Sequence, residues 1–278
     1  MSITIKAITN TKFDWNTFFK ELRNKDPRDD IRGIDRNPTY QFYSHPYSTR
    51  GVEVTEENNG YEIRMTACCN AKDYILANTI ALKIKQDTNA QFYNEDDKEI
   101  YVGSLFDDLA IAQNTYNDIE VLQSLLKQEK EIGLFGAVRE FSMGKVFGKK
   151  VIELTGDKHA IAYKFSKLFL NCQYPSDEFA AFENLMQVTR NDGEVVLLQN
   201  YYNTHSMIIE KVHTVIFTLN DRTIYLNPKH LVQFLPNSWQ LLDEYTIAAK
   251  QLSNEEWIAY FNSMIPFDGG VESIERQK

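Results

Sequence analysis

Nucleophilic, redox and metal chemistry draws on cysteine, histidine and converging carboxylates, and this chain offers few of these in useful spacing. Cys68 and Cys69 are adjacent and stand just before an expected helix cap at Asn70. A helix N-terminus lowers a thiol pKa, which would make a nucleophile of one of them. The spacing is not C-x-x-C, however, and a cysteine ending a strand is commonly a small buried apolar side chain. Cys172 stands alone, and an odd count of three suits a reducing compartment better than a disulfide framework. The histidines are His45, His159, His205, His213 and His230; His205 and His213 flank an apparent strand with Glu210 between them. A metal site needs three or four converging ligands, usually with a short-range pair such as H-x-x-x-H, and no such pair is present. Neither a metal nor a cofactor is expected.

The acidic runs Asp29-Asp30, Glu95-Asp96-Asp97 and Asp107-Asp108 read as loop and cap residues. Adjacent side chains point to different faces and cannot work as a paired acid and base, and the calcium-loop pattern is absent. Arg28, Arg32 and Arg36 recur every fourth residue and would make an anion site on a helix. Gly33 and Pro38 oppose that helix, and Asp29, Asp30 and Asp35 lie close enough to neutralise the arginines. G-x-S-x-G, the P-loop lysine motif and the dinucleotide glycine trio do not occur. No catalytic residue is assigned. The segment Tyr40–Tyr47 carries five aromatic rings counting His45, in a stretch read as irregular because of Pro27, Gly33, Pro38 and Pro46. Tyr40, Phe42, Tyr43 and Tyr47 are therefore the candidate partner-binding anchors, since tyrosine gives large contact area at low entropy cost. The competing reading is a loop folded over a sheet as a lid on the core.

The elements that must hold these residues are clearest between Gly51 and Thr88. Val52 and Val54 alternate with polar residues, Asn58-Asn59-Gly60 turns the chain, and Tyr61, Ile63 and Met65 alternate again. A helix follows from Ala71, with Asn70 and Asp73 as a capping-box variant and Leu76, Ala77, Ile80, Ala81 and Ile84 on one stripe. Helices are expected at Ser104–Gln113 and Asp118–Glu131, and Gly133-Leu-Phe-Gly136 is the expected boundary between units 1–134 and 135–278. In the second half, strands are expected at Ala137–Met143 and Glu194–Gln199, and helices at Lys149–Leu154, Lys158–Phe169, Pro228–Phe234 and Asn254–Met264. A helix capped by Ser176 is expected to carry Phe179, Phe182, Leu185 and Met186, and another spans Trp239–Leu252. A two-residue loop at Asn220-Asp221 would pair Leu219 with Arg222, Phe217 with Ile224 and Val215 with Leu226. The fold class is α+β, with mostly antiparallel sheets built from hairpins and amphipathic helices packed on one face, in two sub-domains.

The formal net charge is −9, from 30 basic and 39 acidic residues in 278. Binding to nucleic acid through phosphates calls for a basic face, and no such cluster is visible; an anionic membrane surface is disfavoured for the same reason. A basic protein partner is permitted. The longest apolar runs, such as Val215–Phe217, are far short of a membrane span, and the N-terminus has no basic segment ahead of an apolar core. The expected location is the cytoplasm.

The run Thr49-Arg-Gly-Val-Glu-Val54, the strand Tyr61–Thr66 and the helix Ala71–Ile84 resemble a family of uncharacterised bacterial proteins of about this length. That family shares an R-G-[VF]-x-[FV] strand and a D-[YW]-x-L-A helix, matched here over residues 49–105. The resemblance implies a fold and transfers no catalytic residue. By analogy with small acidic bacterial families that neighbour toxins, it suggests an immunity-type role. The leading expectation is a non-enzymatic protein-binding module, in its finer form an immunity protein that neutralises a basic toxin. The alternative is an enzyme or small-molecule-binding protein with a site between the two halves, drawing on Cys69, His205 or Arg32.

Overall fold

A computed structural model of the chain describes residues 2–23, 30–36, 38–103, 106–181, 183–190, 192–271 and 274. The chain divides into two compact units, Met1–Phe141 with Gly148–Tyr174, and Ser142–Phe147 with Pro175–Lys278. The architecture is mixed α and β, with mostly antiparallel sheets.

In the first unit six strands form one antiparallel sheet: β1 (Ile3–Ile8), β2 (Asp30–Arg36), β3 (Thr39–His45), β4 (Val52–Glu57), β5 (Gly60–Met65) and β6 (Gln91–Tyr93). Their order is β2-β3-β4-β5-β1-β6. Helices α1 (Trp15–Arg23), α2 (Ala71–Thr88), α3 (Asp108–Lys127) and α5 (Lys158–Gln173) complete it. The short strands β7 (Ile132–Phe135) and β8 (Glu140–Met143) pair, and α4 (Phe147–Ile152) precedes α5. Period-2 alternation decides which face is buried. Register sets Tyr40 beside Val54, Val54 beside Ile63 and Ile63 beside Ile5, with Phe42 beside Val52. These side chains form one core with Trp15 and Phe18 of α1 and Leu76, Ala77, Ile80, Ala81 and Ile84 of α2. Burying each large apolar side chain is worth about 1.5–3 kcal/mol. The intervening residues, among them Thr4, Lys6, Glu53, Glu62 and Arg64, take the opposite face, where Arg64 pairs with Glu53 at 3.6 Å.

The stretch expected to be irregular, residues 26–50, contains the antiparallel pair β2–β3. Register places Gly33 opposite Phe42, and the Phe19 ring fills the space a Cβ on Gly33 would occupy. The glycine that looked like a breaker is where an aromatic side chain reaches the sheet. The two helices expected around Asp118 are one, because Asp107 caps α3 through Ala110 N at 2.7 Å and the helix runs on through Asp118.

One carboxylate joins sheet to helix. Asp73 is fully buried in the first turn of α2. Its Oδ2 accepts from Thr49 Oγ1 at 2.8 Å, Asn70 N at 3.0 Å and Arg50 N at 3.2 Å, and its Oδ1 accepts from Gly51 N at 2.9 Å. Gly51 has φ +77°, and a Cβ there would collide with the Phe42 carbonyl oxygen; both facts require glycine. α3 secures the segment just ahead of this cap: Cys68 N donates to Asp118 Oδ2 at 2.8 Å, and Thr115 Oγ1 donates to Cys69 O at 3.0 Å.

In the second unit, β9 (Leu185–Thr189), β10 (Val195–Tyr201), β12 (Thr214–Leu219) and β13 (Arg222–Leu226) form a sheet ordered β13-β12-β10-β9, in which only β10 and β12 are parallel. The β12–β13 register is the one expected, Leu219 with Arg222, Phe217 with Ile224 and Val215 with Leu226. A second sheet, ordered β11-β15-β14, joins β11 (Met207–Ile209), β14 (Gln240–Leu241) and β15 (Ile247–Ala249). Helices α6 (Pro228–Gln233) and α7 (Asn254–Met264) match expectation, and Tyr201, Phe217, Trp239, Trp257 and Tyr260 pack ring against ring.

Two expected helices here are strands. Trp239–Leu252 turns at Asp243, whose Oδ1 accepts from Tyr245 N at 2.8 Å and Thr246 N at 2.7 Å. Ile247, Ala248 and Ala249 are all buried because β15 is the central strand, and burial on both faces erases the alternation that marks a strand. In the Ser176 segment, Asn184 takes a left-handed φ of 55° and Leu185–Thr189 pairs with β10; Phe182 lies outside the described residues.

Removing the Asp73 carboxylate strands several buried donors at once, each worth about 1–3 kcal/mol. Asp73→Ala is therefore expected to lower unfolding free energy by about 3 kcal/mol or more in urea melts, whereas Lys12→Ala on the exposed surface changes it by less than about 0.5 kcal/mol.

Candidate binding groove

The first unit contains a groove of about 640 Å³ between the start of α2, α3 and α5. Three caps position its walls. Asn70 caps α2 through Asp73 N, and its Nδ2 also donates to Tyr47 O at 2.8 Å, which sets Tyr47 at the rim. Asp107 caps α3, and Asp157 caps α5 through Ala160 N at 2.8 Å. The floor is apolar, with Ile111, Ala112, Ala162 and Leu170, and Thr115 closes it from below. An adjoining pocket at the start of α5, which shares Ala112 and His159 with the groove, is lined by Leu109, Gln113 and Tyr116.

Two large apolar side chains along this surface are left bare. Leu109 is 69% exposed and Tyr163 is 70% exposed. Each lies off the buried stripe of its helix, which uses Ile111, Ala112, Thr115 and Ile119 in α3 and Ile161, Ala162, Phe165 and Phe169 in α5. The charges lining the main groove are Lys72 and Lys167 against Asp108. Lys72 Nζ lies over the Tyr47 ring at 5.4 Å, and Lys158 Nζ lies 5.7 Å from the Tyr116 ring while bonding Gln113 Oε1. Tyr116 donates to Glu120 at 2.8 Å, and that bond to a carboxylate raises its phenol pKa.

The four aromatic residues singled out from the sequence do not act together. Tyr40 and Phe42 face inward; Trp15 stacks on both, at 4.5 Å and 5.6 Å. Phe42 is 0% exposed, so it is a core side chain and leaves the set of contact residues; the alternation of β3 turns it inward. Tyr43 lies on the opposite face of β3, beside Arg32. Tyr47 alone reaches the groove, and it is 42% exposed.

The chemical candidates are dispersed. Cys68 and Cys69 are buried, and burial pushes both thiols well above the ordinary range, with Asp118 adding for Cys68 and Asp73 for Cys69. The helix N-terminus that could have activated a thiol is occupied by the Asp73 carboxylate. His45 packs edge-on against Tyr174 at 4.9 Å, His159 lines the groove, and His213 Nδ1 accepts from Leu197 N at 2.9 Å. His230 stacks on Phe267 at 4.8 Å. In the second unit His205 Nε2 bonds Glu183 Oε2 at 2.6 Å, with Thr204 Oγ1 at 3.0 Å from the other ring nitrogen. Arg32 pairs with Asp30 at 2.7 Å, and Arg28 lies outside the described residues. Among the described residues no group of three histidine, cysteine or carboxylate side chains is placed to hold a metal ion, and no helix is long and apolar enough to cross a membrane.

A family model described as "Domain of unknown function (DUF4299)" matches residues 2–217. No curated protein and no solved structure matches the chain.

Raised thiol pKa values and burial together predict inert cysteines. At pH 8, Ellman's reagent should leave Cys68, Cys69 and Cys172 unreacted in the native protein and titrate all three in concentrated guanidinium chloride. Rapid release of one equivalent from native protein would show an accessible thiolate.

Proposed function

We propose, from the premise that this chain belongs to the DUF4299 family, that it is a cytoplasmic, non-enzymatic protein-binding module whose contact surface is the α3–α5 groove. The observation that carries this reading is Tyr163, a large side chain bare on a concave surface with an apolar floor, with Leu109 equally bare in the adjoining pocket on the same two helices. Exposed apolar surface in a groove between helices costs solubility and gains free energy only when something covers it. Tyrosine is also a residue type enriched among interface anchors, a rigid ring with a polar tip and few rotors to order. A groove between two helices suits an amphipathic helical segment of another protein.

The finer reading is an immunity-type role against a basic toxin, and the net charge of −9 supports it. The groove itself holds two lysines and one aspartate, so it favours apolar or acidic contacts. A basic toxin would meet the acidic remainder of the surface and leave the groove to its apolar segment. A second reading, a small-ligand site, draws on the groove volume of about 640 Å³, which falls within the roughly 300–1,000 Å³ of ligand pockets.

A photo-cross-linking residue at position 163 is expected to trap one discrete protein in the producing cell, while the same residue at Val121, exposed on α3 away from the groove, traps none. Tyr163→Ala should weaken the purified complex at least ~10-fold, the scale of a modest hot spot, with the thermal midpoint unchanged. Equal cross-linking at both positions would remove the groove from the account. Stabilisation by a small metabolite with no trapped protein would favour the second reading.

A further inference from the structure

β9 ends the larger sheet of the second unit, and no described strand pairs with its outer side. Its bonds to the neighbouring strand decide which groups look outward. Arg190 N donates to Glu194 O at 2.8 Å, and Asn200 N donates to Asn184 O at 3.1 Å. Bonded residues alternate along an antiparallel ladder, so positions 184, 186, 188 and 190 serve that neighbour. The N–H and C=O groups of Leu185, Gln187 and Thr189 therefore point away from the sheet.

Among the described residues this edge carries neither charge nor proline, the side chains that most often blunt one. All five residues, Leu-Met-Gln-Val-Thr, are exposed. Leu185, Met186 and Val188 are each 38% exposed. The flanking charges are engaged within the chain, Arg190 with Glu194 at 2.6 Å and Glu183 with His205 at 2.6 Å.

We propose that β9 is a self-association edge, at which two copies of this chain pair their β9 strands antiparallel about Gln187. That register sets Gln187 opposite itself and Leu185 opposite Thr189, the residues whose backbone groups already face outward. It also sets Met186 opposite Val188. Those two share a face with Leu198 and Val196 through the ladder, and so extend the apolar surface of Val196, Leu198 and Ile216 across the junction. The strand supplies its own complement, apolar against apolar, and no charge of either sign selects a foreign sequence. A chain of net charge −9 repels its copy over most of its surface, and this uncharged edge is where two copies can approach. The strand lies in the second unit, and none of its residues lines the groove.

A contact made mainly by one strand edge belongs to the small, weak class of interfaces, with dissociation at about micromolar or higher concentration. Sedimentation equilibrium from roughly 1 µM upward to several hundred µM covers that range. The mass is expected to rise from 32.3 kDa toward twice that value. Gln187→Pro removes an outward N–H that the ladder does not use, so circular dichroism should be unchanged while the mass stays at the monomer value. Gln187→Lys sets two like charges opposite each other and should have the same effect; it decides the matter if the proline variant fails to fold. A wild-type chain that stays monomeric throughout overturns the proposal and leaves an extended segment of another protein as the occupant. A folded variant that dimerises like wild type overturns it as well, because the contact then lies elsewhere.

Discussion

The Asp73 carboxylate is the constraint on which the first unit depends. It is a fully buried carboxyl group that accepts four hydrogen bonds, three from the turn Thr49–Gly51 and one from Asn70 N. A polar group in the interior is tolerated only when such donors replace its hydration. The same four bonds fix where the turn before β4 meets the start of α2. The two motifs that mark the family-like stretch, Arg50-Gly51 on the strand side and Asp73 on the helix side, are thus two halves of one hydrogen-bonded unit. Gly51 is required by its φ and by its approach to the Phe42 carbonyl, whereas Arg50 contributes a backbone N–H that any residue but proline could supply.

From that unit the groove follows. Asn70 caps α2 and holds Tyr47, and Asp118 and Thr115 bind the segment at Cys68 and Cys69 to α3. The rim and one wall are therefore set by the same buried polar network. Leu109 and Tyr163 stand outside it, on helix faces with no partner in the described structure. A rigid wall with bare anchors is the arrangement in which binding loses least to ordering.

Much of the fold was legible because its signals are local. A two-residue loop, alternation on both sides and a capping box suffice for β4–β5, α2 and β12–β13. The failures share one cause. β15 lies between β11 and β14, and β9 is a strand only because β10 lies beside it; these pairings are tertiary, and the residues read as helix without them. The strands β2 and β3, inside the stretch 26–50 expected to be irregular, escape the sequence for a related reason, since Gly33 accommodates the Phe19 ring instead of breaking a strand. The groove was less legible still. Its parts, Tyr47, Lys72, Ile111 and Tyr163, come from four separated segments. The only trace in the sequence is that Leu109 and Tyr163 fall off the apolar stripes of their helices. The aromatic run at 40–47 pointed to the right neighbourhood through Tyr47 alone, because β3 alternation puts Phe42 in the core and turns Tyr40 against it.

Amide hydrogen exchange tests the Asp73 unit most directly. The account predicts that the N–H groups of Arg50, Gly51 and Asn70 exchange as slowly as that of Ile63 in the middle of β5, opening only with global unfolding. Exchange of those three amides at the rate of exposed turns such as Asn58-Asn59 would contradict it.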